Sequence, residues 1–249
     1  MHTISILIPA LNEEAGITAT ISCIPKSKIQ KQGYNLEILV IDGDSTDLTR
    51  EKALQMGAKV VVEKRLGYGR AYKTGFSKST GDILVTLDAD GTYPAERIPE
   101  YIQLLKERSL DFITVNRFSN SEDGSMTLSH YVGNKILSKT MRRLYSVEVK
   151  DSQSGMWIMK RSFVEQINLK SDDMSLSEEI KIIAFKFFKS LEVDGKYSKR
   201  KGTPKLATFK HGWHNFRYLF QYNSALKFAL KPAVEEVENQ FLEERTFKS

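Results

Sequence analysis

Residues 83–94 read Ile-Leu-Val-Thr-Leu-Asp-Ala-Asp-Gly-Thr-Tyr-Pro. A short apolar run that ends in two carboxylates one residue apart, then Gly and Pro, predicts a buried strand opening into a chemical loop. Asp88 and Asp90 sit on that loop. Hard divalent cations take oxygen ligands, and Mg2+ in particular is held by one or two carboxylates together with substrate phosphate oxygens. A metal-bound diphosphate is therefore one reading. The other is a turn whose carboxylates cap backbone N–H groups. The stretch alone leaves both open, and the flanking sequence has to decide.

Upstream, Ile4–Ile8 forms an apolar strand, and Pro9-Ala-Leu-Asn-Glu-Glu14 turns into a helix over about 15–24 with Asn12 as N-cap. A second strand over 36–41 is stopped by Asp42-Gly-Asp-Ser-Thr-Asp47, and a helix over 48–56 and a strand over 59–63 follow. Gly67, Gly69 and Gly75 punctuate a further helix starting near Arg70. This alternation predicts an α/β fold with right-handed crossovers and a mostly parallel central sheet flanked by helices. Ligands of such sheets bind beyond the carboxyl ends of the strands, where Asp42 and Asp88 both fall. Gly67-Tyr-Gly69 lacks the third spaced glycine of a dinucleotide-binding fingerprint.

Downstream, helices are expected over 96–107, 128–144 and 177–188, and strands over 112–115, 156–159 and 192–198. The polar segment 119–127 reads as a mobile loop beside the site. Leu219, Tyr222, Leu226 and Ala229 have helical spacing within an aromatic and basic stretch, 213–230. It suits a core or dimer helix, or an interfacial helix on a membrane. Residues 231–249 form a charged tail, so residues 1–230 read as a single catalytic domain.

Composition narrows the partners. The 249 residues carry a net charge of +6, which suits phosphate-bearing or anionic-membrane partners. No metal-finger spacing, RNP-like aromatic motif or basic heptad region points to nucleic acid. The single cysteine, Cys23, excludes an internal disulfide framework, fits a reducing compartment and reads as a small buried apolar residue. No apolar run approaches the roughly 20 residues that span a bilayer, so any membrane contact is expected to be peripheral.

Six segments, in order, carry a resemblance. They are Ile6-Leu-Ile-Pro-Ala-Leu-Asn-Glu-Glu14, Val40-Ile-Asp-Gly-Asp-Ser-Thr-Asp47, Leu87-Asp-Ala-Asp-Gly91, Asp151-Ser-Gln-Ser-Gly-Met156, Ser177-Glu-Glu-Ile-Lys-Ile182 and Arg200-Lys-Gly-Thr-Pro-Lys-Leu206. Together they resemble the family 2 inverting glycosyltransferases of GT-A fold, most closely the polyprenyl-phosphate branch typified by dolichol-phosphate mannose synthase. The resemblance implies a nucleoside site at Pro9, Asn12, Glu13, Asp42 and Asp44. It implies Mg2+ or Mn2+ and the diphosphate at Asp88 and Asp90, with a backbone contact at Ala89. Thr92 stands where many relatives have a Gln ligand. The acceptor phosphate falls to Arg117, Lys135, Arg200 and Lys205; Tyr131 and Lys135 stand near the positions where the family tends to have an arginine and a serine.

The implied reaction moves a hexose-type sugar from a nucleoside diphosphate, GDP-mannose or a UDP-sugar, to dolichyl or undecaprenyl phosphate at the cytoplasmic face of a membrane. Asp90, Arg117 and Arg200 are the expected catalytic residues. A hydroxyl acceptor needs a base, whereas a phosphate oxyanion does not. Asp151 and Glu179 are the only base candidates, and each equally suits a structural partner of neighbouring basic residues. Two rivals remain: transfer to a soluble hydroxyl compound or growing glycan, and a non-catalytic nucleotide-sugar-binding protein.

Overall fold

The computed structural model describes residues 2–202 and 208–230. In chain order the elements are β1 (Thr3–Ala10), α1 (Ile17–Ser22), α2 (Lys26–Lys31), β2 (Asn35–Asp42), α3 (Thr49–Gln55), β3 (Lys59–Val62), α4 (Tyr68–Lys78) and β4 (Ile83–Thr86). They continue with α5 (Ile98–Glu107), β5 (Phe112–Ser121), α6 (Leu128–Tyr145), β6 (Trp157–Lys160), α7 (Arg161–Gln166), α8 (Leu176–Phe187), β7 (Ser190–Tyr197) and α9 (Thr208–Ala225). Short 3-10 turns precede α5 and follow α9.

The seven strands form one sheet in the order β3-β2-β1-β4-β6-β5-β7. All neighbours pair parallel except β6, which runs antiparallel between β4 and β5. The mostly parallel sheet flanked by helices is the expected architecture. Its two faces follow the period-2 alternation of strand side chains. In β1, Ile4, Ile6 and Ile8 join a core with Ile17, Ile21, Ile29 and Ile102. Leu7 points the other way, to a core built from Leu39, Ile41, Tyr72, Trp157, Met141 and Ile180. Register matters at one edge: Ala10 lies opposite Asp42, and Leu7 opposite Thr86. The carboxyl ends of β1, β2 and β4 therefore open side by side.

Several local expectations are corrected. Asn12 is not a helix N-cap: α1 starts at Ile17 behind Gly16, and Asn12 holds a positive φ of 51° while its Oδ1 accepts from the Thr46 amide at 2.8 Å. The segment after Arg117 is not a loop from Ser119, because β5 continues to Ser121 and pairs Asn120 with Lys196 and Ser121 with Tyr197. Cys23 is exposed, since α1 ends at Ser22 and releases it from the core face. The helices α2 and α7, six residues each, are additions that their short, polar-rich sequences do not announce. Leu219 and Tyr222 in α9, and Leu226 and Ala229 in and just after the 3-10 turn that follows it, are all core; the helix expected to run to residue 230 ends at Ala225.

Candidate functional site

A cavity of about 260 Å³ opens at these strand ends. Pro9, Ala10, Leu11 and Glu13 from the end of β1 form one wall, and Glu63, Arg65, Leu66, Gly67 and Tyr68 between β3 and α4 form the other. Asp88, Ala89 and Asp90 make the floor, with Arg200 and Met174 closing the far side. The two-carboxylate stretch thus reaches the cavity that its sequence predicts.

The two carboxylates are not equivalent. Asp90 is buried and engaged on both oxygens: Oδ1 accepts from the Thr92 amide at 3.1 Å and hydroxyl at 2.7 Å, and Oδ2 accepts from Arg200 Nη1 at 2.8 Å. Asp88 is half-buried, with the Tyr68 hydroxyl 3.5 Å from its Oδ1. Burial and the neighbouring Asp90 charge push the Asp88 carboxyl up to about 7, against the pull of Arg117 and Arg200. An uncompensated carboxylate beside a second one is an environment that favours a cation. Among the described residues no cluster of three or more His, Cys, Asp or Glu side chains could hold a metal alone. The donor set therefore fits a hard cation that completes its shell from phosphate oxygens and water. Thr92, the residue in the usual Gln position, is buried and spends its hydroxyl orienting Asp90.

The loop is held from behind. A Cβ on Gly16 would come within 2.5 Å of the Ala89 carbonyl oxygen and 2.8 Å of the Asp90 Cα, so the approach of α1 to the carboxylates requires glycine there. Gly155, from the Asp151-Ser-Gln-Ser-Gly segment, backs Asp88 and Tyr68 in the same manner. Above the loop, the Lys201 amide donates to the Asp90 carbonyl and the Ser198 amide to the Thr92 carbonyl, both at 2.9 Å. Arg200 is thereby fixed between Asp90 and Glu13, pairing with both. Its Nε is buried without a hydrogen-bond partner.

At the end of β2, Asp42 is fully buried. Its Oδ2 accepts from the Ser45 amide at 3.0 Å and lies 3.2 Å from Arg50 Nε, whereas Oδ1 is buried with no hydrogen-bond partner. An unpaired buried acceptor costs about 1–3 kcal/mol, so the position suits a donor from a bound molecule. Asp44 is exposed at a positive φ of 65°, 3.8 Å from Arg50. Asn12 braces the same loop through Thr46.

Arg117 is placed differently from its expected role. Its guanidinium is buried and forms a two-pronged pair with Asp151, Nε to Oδ2 at 2.7 Å and Nη2 to Oδ1 at 2.8 Å, and it stacks 5.3 Å from the centre of the Tyr197 ring. Burial opposes the Asp151 charge, but the adjoining Arg117 charge overcomes it and holds the carboxyl below the ordinary carboxylate range. Glu179 is also fully buried, accepting from the Lys170 and Ser171 amides at 2.9 and 2.8 Å. Burial raises its pKa in spite of those two bonds. Neither base candidate lines the cavity. Lys135 is exposed on α6, its ammonium 4.0 Å from the centre of the Phe118 ring. Lys205 lies outside the described residues.

Sequence reasoning missed the wall from Glu63 to Tyr68. Glu63 takes Arg65 in a paired contact, Nε to Oε1 at 2.8 Å and Nη2 to Oε2 at 2.6 Å, and that bond holds its pKa far below the ordinary value. The signal was present, since Glu63 follows a third parallel strand at its carboxyl end. Also missed was Lys181, fully buried, whose ammonium donates to the carbonyls of Asp151, Ser152 and Ser154 at 3.1, 2.9 and 2.6 Å. Burial lowers its pKa to about 7. It cradles the segment that supplies both Asp151 and Gly155.

This geometry has counterparts of known kind. The chain is 33% identical over 222 residues to the low-salt glycan biosynthesis hexosyltransferase Agl6 of Haloferax volcanii, covering 87% of this chain and 53% of that protein. It is 30% identical over 207 residues to a dolichol-phosphate mannosyltransferase of Pyrococcus furiosus, covering 79% and 54%. A dolichyl-phosphate hexose transferase of Haloferax volcanii matches at 27% over 210 residues, covering 84% and 89%. The chain thus spans about half the length of the first two of these relatives. Among solved structures, glucosyl-3-phosphoglycerate synthase from Mycobacterium tuberculosis with Mn2+ and UDP-glucose superposes with a TM-score of 0.66 at 21% identity, covering 88% of this chain and 78% of that one. The same enzyme with Mg2+ and UDP gives 0.65 at 20%, covering 90% and 79%. The fold is therefore GT-A-like. A family model, Glycosyl transferase family 2, matches residues 5–167, and the chain belongs to that family.

Proposed function

We propose that this glycosyltransferase moves a hexose from a nucleoside diphosphate sugar to a polyprenyl phosphate, with inversion at the anomeric carbon. The observation that carries the reading is the fate of the two base candidates. Asp151 is consumed by Arg117, and Glu179 by two backbone amides, both away from the cavity. A hydroxyl nucleophile needs a positioned base. A phosphate monoester is already an oxyanion near neutral pH, and it can attack without one. The relatives named for dolichol phosphate support the same acceptor class.

In this reading the unpaired Asp42 oxygen takes an N–H or O–H donor of the nucleoside, with Pro9, Asn12, Glu13 and Asp44 shaping its pocket. Asp88 and Asp90 hold Mg2+ or Mn2+ against the diphosphate, beside the Ala89 backbone. The metal, when bound, neutralises charge on the leaving diphosphate. Arg200, between the carboxylate floor and solvent, offers its guanidinium to phosphate, and Lys135 and Lys205 are taken as further contacts of the acceptor phosphate. Arg117 supports this arrangement from beneath as a buried charge near Asp88. The acceptor oxygen bonds to the anomeric carbon as the bond to the diphosphate oxygen breaks on the opposite face. Residues 1–230 would act as one catalytic domain, lying peripherally on the cytoplasmic face of a membrane.

The test is a panel of radiolabelled GDP-mannose, UDP-glucose and UDP-N-acetylglucosamine with Mg2+ or Mn2+, offered polyprenyl phosphate or soluble hydroxyl acceptors. Label from one donor should enter the organic phase, and Asp88→Ala should abolish it. Label found only in soluble products would overturn the acceptor assignment. Donor binding with no transfer at all would overturn the catalytic one.

A further inference from the structure

The helices α6 and α9 lie against each other, the Tyr145 hydroxyl of α6 bonding to the Leu219 carbonyl of α9 and the Tyr145 and Tyr222 rings meeting at 6.4 Å. Each is 18 residues long, and together they contain no Asp or Glu, although the chain has 31 acidic residues. Among the described side chains, those they present outward are apolar, basic or uncharged polar, with no carboxylate. On α6, Leu128 is 78% exposed, Val132 46% and Ile136 53%, and their spacing of four places them in one stripe. Lys135, Lys139, Arg142 and Arg143 share that side of the helix and are exposed with them. On α9, Trp213 is 65% and Phe220 54% exposed. Phe216 joins them into a run of ring contacts at 6.0 and 5.2 Å, with the exposed Arg217 alongside.

A soluble face is polar, and a protein–protein face is depleted in Lys as well as in Asp and Glu, whereas these helices keep Lys135 and Lys139 exposed among Leu128, Val132 and Ile136. An apolar stripe set among Lys and Arg is the composition of a surface that inserts shallowly into an anionic bilayer. Among the described residues no helix is long and apolar enough to cross one. We infer that the α6–α9 pair is a docking surface for an anionic lipid bilayer, the side chains of Val132, Ile136, Trp213 and Phe220 entering the headgroup boundary while Lys135, Lys139 and Arg217 meet lipid phosphates. This deepens the proposed function, on which it rests for its biological sense. The N-terminal half of α6 packs on Phe118, Tyr131 meeting that ring at 5.3 Å, and Phe118 directly follows Arg117. Docking through α6 would hold Lys135, one of the proposed acceptor contacts, at the lipid surface.

Co-sedimentation of the full chain with phosphatidylcholine vesicles, with and without phosphatidylglycerol and free of polyprenyl phosphate, tests the surface by itself. The protein should pellet with the anionic vesicles, release as salt rises, and stay in solution with the neutral ones. The pairs Val132→Ser/Ile136→Asn and Trp213→Ser/Phe220→Ser should each weaken binding about tenfold or more, since each removes two inserting side chains. Their melting temperatures and donor binding by calorimetry should match wild type. Failure to pellet with anionic vesicles would overturn the inference, as would variants that fold normally and still bind like wild type. So would a wild-type dimer on gel filtration that the same substitutions dissociate, because a second copy would then cover the face. Transfer to polyprenyl phosphate in detergent is scored separately: its loss would sink the proposed function and leave vesicle binding standing.

Discussion

Replacing Asp151 with Asn separates a structural carboxylate from a catalytic base. The Arg117 guanidinium is buried and its compensation comes from Asp151, through bonds of 2.7 and 2.8 Å and a third from the Arg117 amide at 3.1 Å. Asp151→Asn keeps the shape and deletes the charge, leaving a buried cation uncompensated at a cost of about 3–5 kcal/mol. For a chain of this length that corresponds to a fall in melting temperature of roughly 6–20 °C. Removing both charges, as in Arg117→Met/Asp151→Leu, should recover most of that loss, because an apolar pair of similar volume avoids the desolvation that the ion pair must offset. Thermal unfolding of this double variant beside Arg117→Met and Asp151→Leu completes the cycle. A protein with Asp151→Asn that melts like wild type but loses kcat, together with the basic limb of its pH profile, would refute the reasoning and make Asp151 a proton acceptor.

Further outcomes are expected from the same geometry. Because the Asp88 carboxyl sits near 7, well above an ordinary carboxylate, Mn2+ must displace a proton below that pH. Calorimetry should show its affinity falling by about tenfold per pH unit there, with one proton released. The sign for stability is opposite to that of a salt-bridged carboxylate: a folded pKa above the unfolded one means that ionising Asp88 costs stability as pH rises from about 4 to 7. Asp88→Asn should therefore melt higher than wild type at pH 8 while losing transfer, and a lower melting temperature would contradict the assignment. Gly16→Ala forces its Cβ onto Ala89 and Asp90; a loss of about 1–3 kcal/mol in stability should accompany weaker donor binding in calorimetry. Glu179→Gln leaves one of two amides without an acceptor, about 1–3 kcal/mol, and should lower the melting temperature with kcat retained in a transfer assay.

The parts of this molecule that the sequence discloses are those governed by local pattern. The strand ends carrying Asp42 and Asp88 follow from apolar runs stopped by Asp and Gly, and the parallel order follows from their alternation with helices. The antiparallel entry of β6 does not, because the side-chain alternation of the four residues Trp157–Lys160 reads the same whichever way the strand runs. The Arg117–Asp151 pair, the seat of Arg200 between Glu13 and Asp90, and the three carbonyls on Lys181 are equally hidden. Each joins residues far apart in the chain, and each side chain read singly looks like a surface charge or a ligand. Arg117 is the instructive case: a basic residue after a strand suits a phosphate, and only packing shows that its partner is internal.

The two amides that tie residues 198 and 201 to the carbonyls of Thr92 and Asp90 have a kinetic corollary. They splice the segment bearing Arg200 onto the carboxylate floor, so the two slide as one piece. If the chain uses the two substrates proposed for it, their steady-state constants should rise and fall in concert across substitutions in either segment of this splice, and a clean split into donor-only and acceptor-only variants is not to be looked for there.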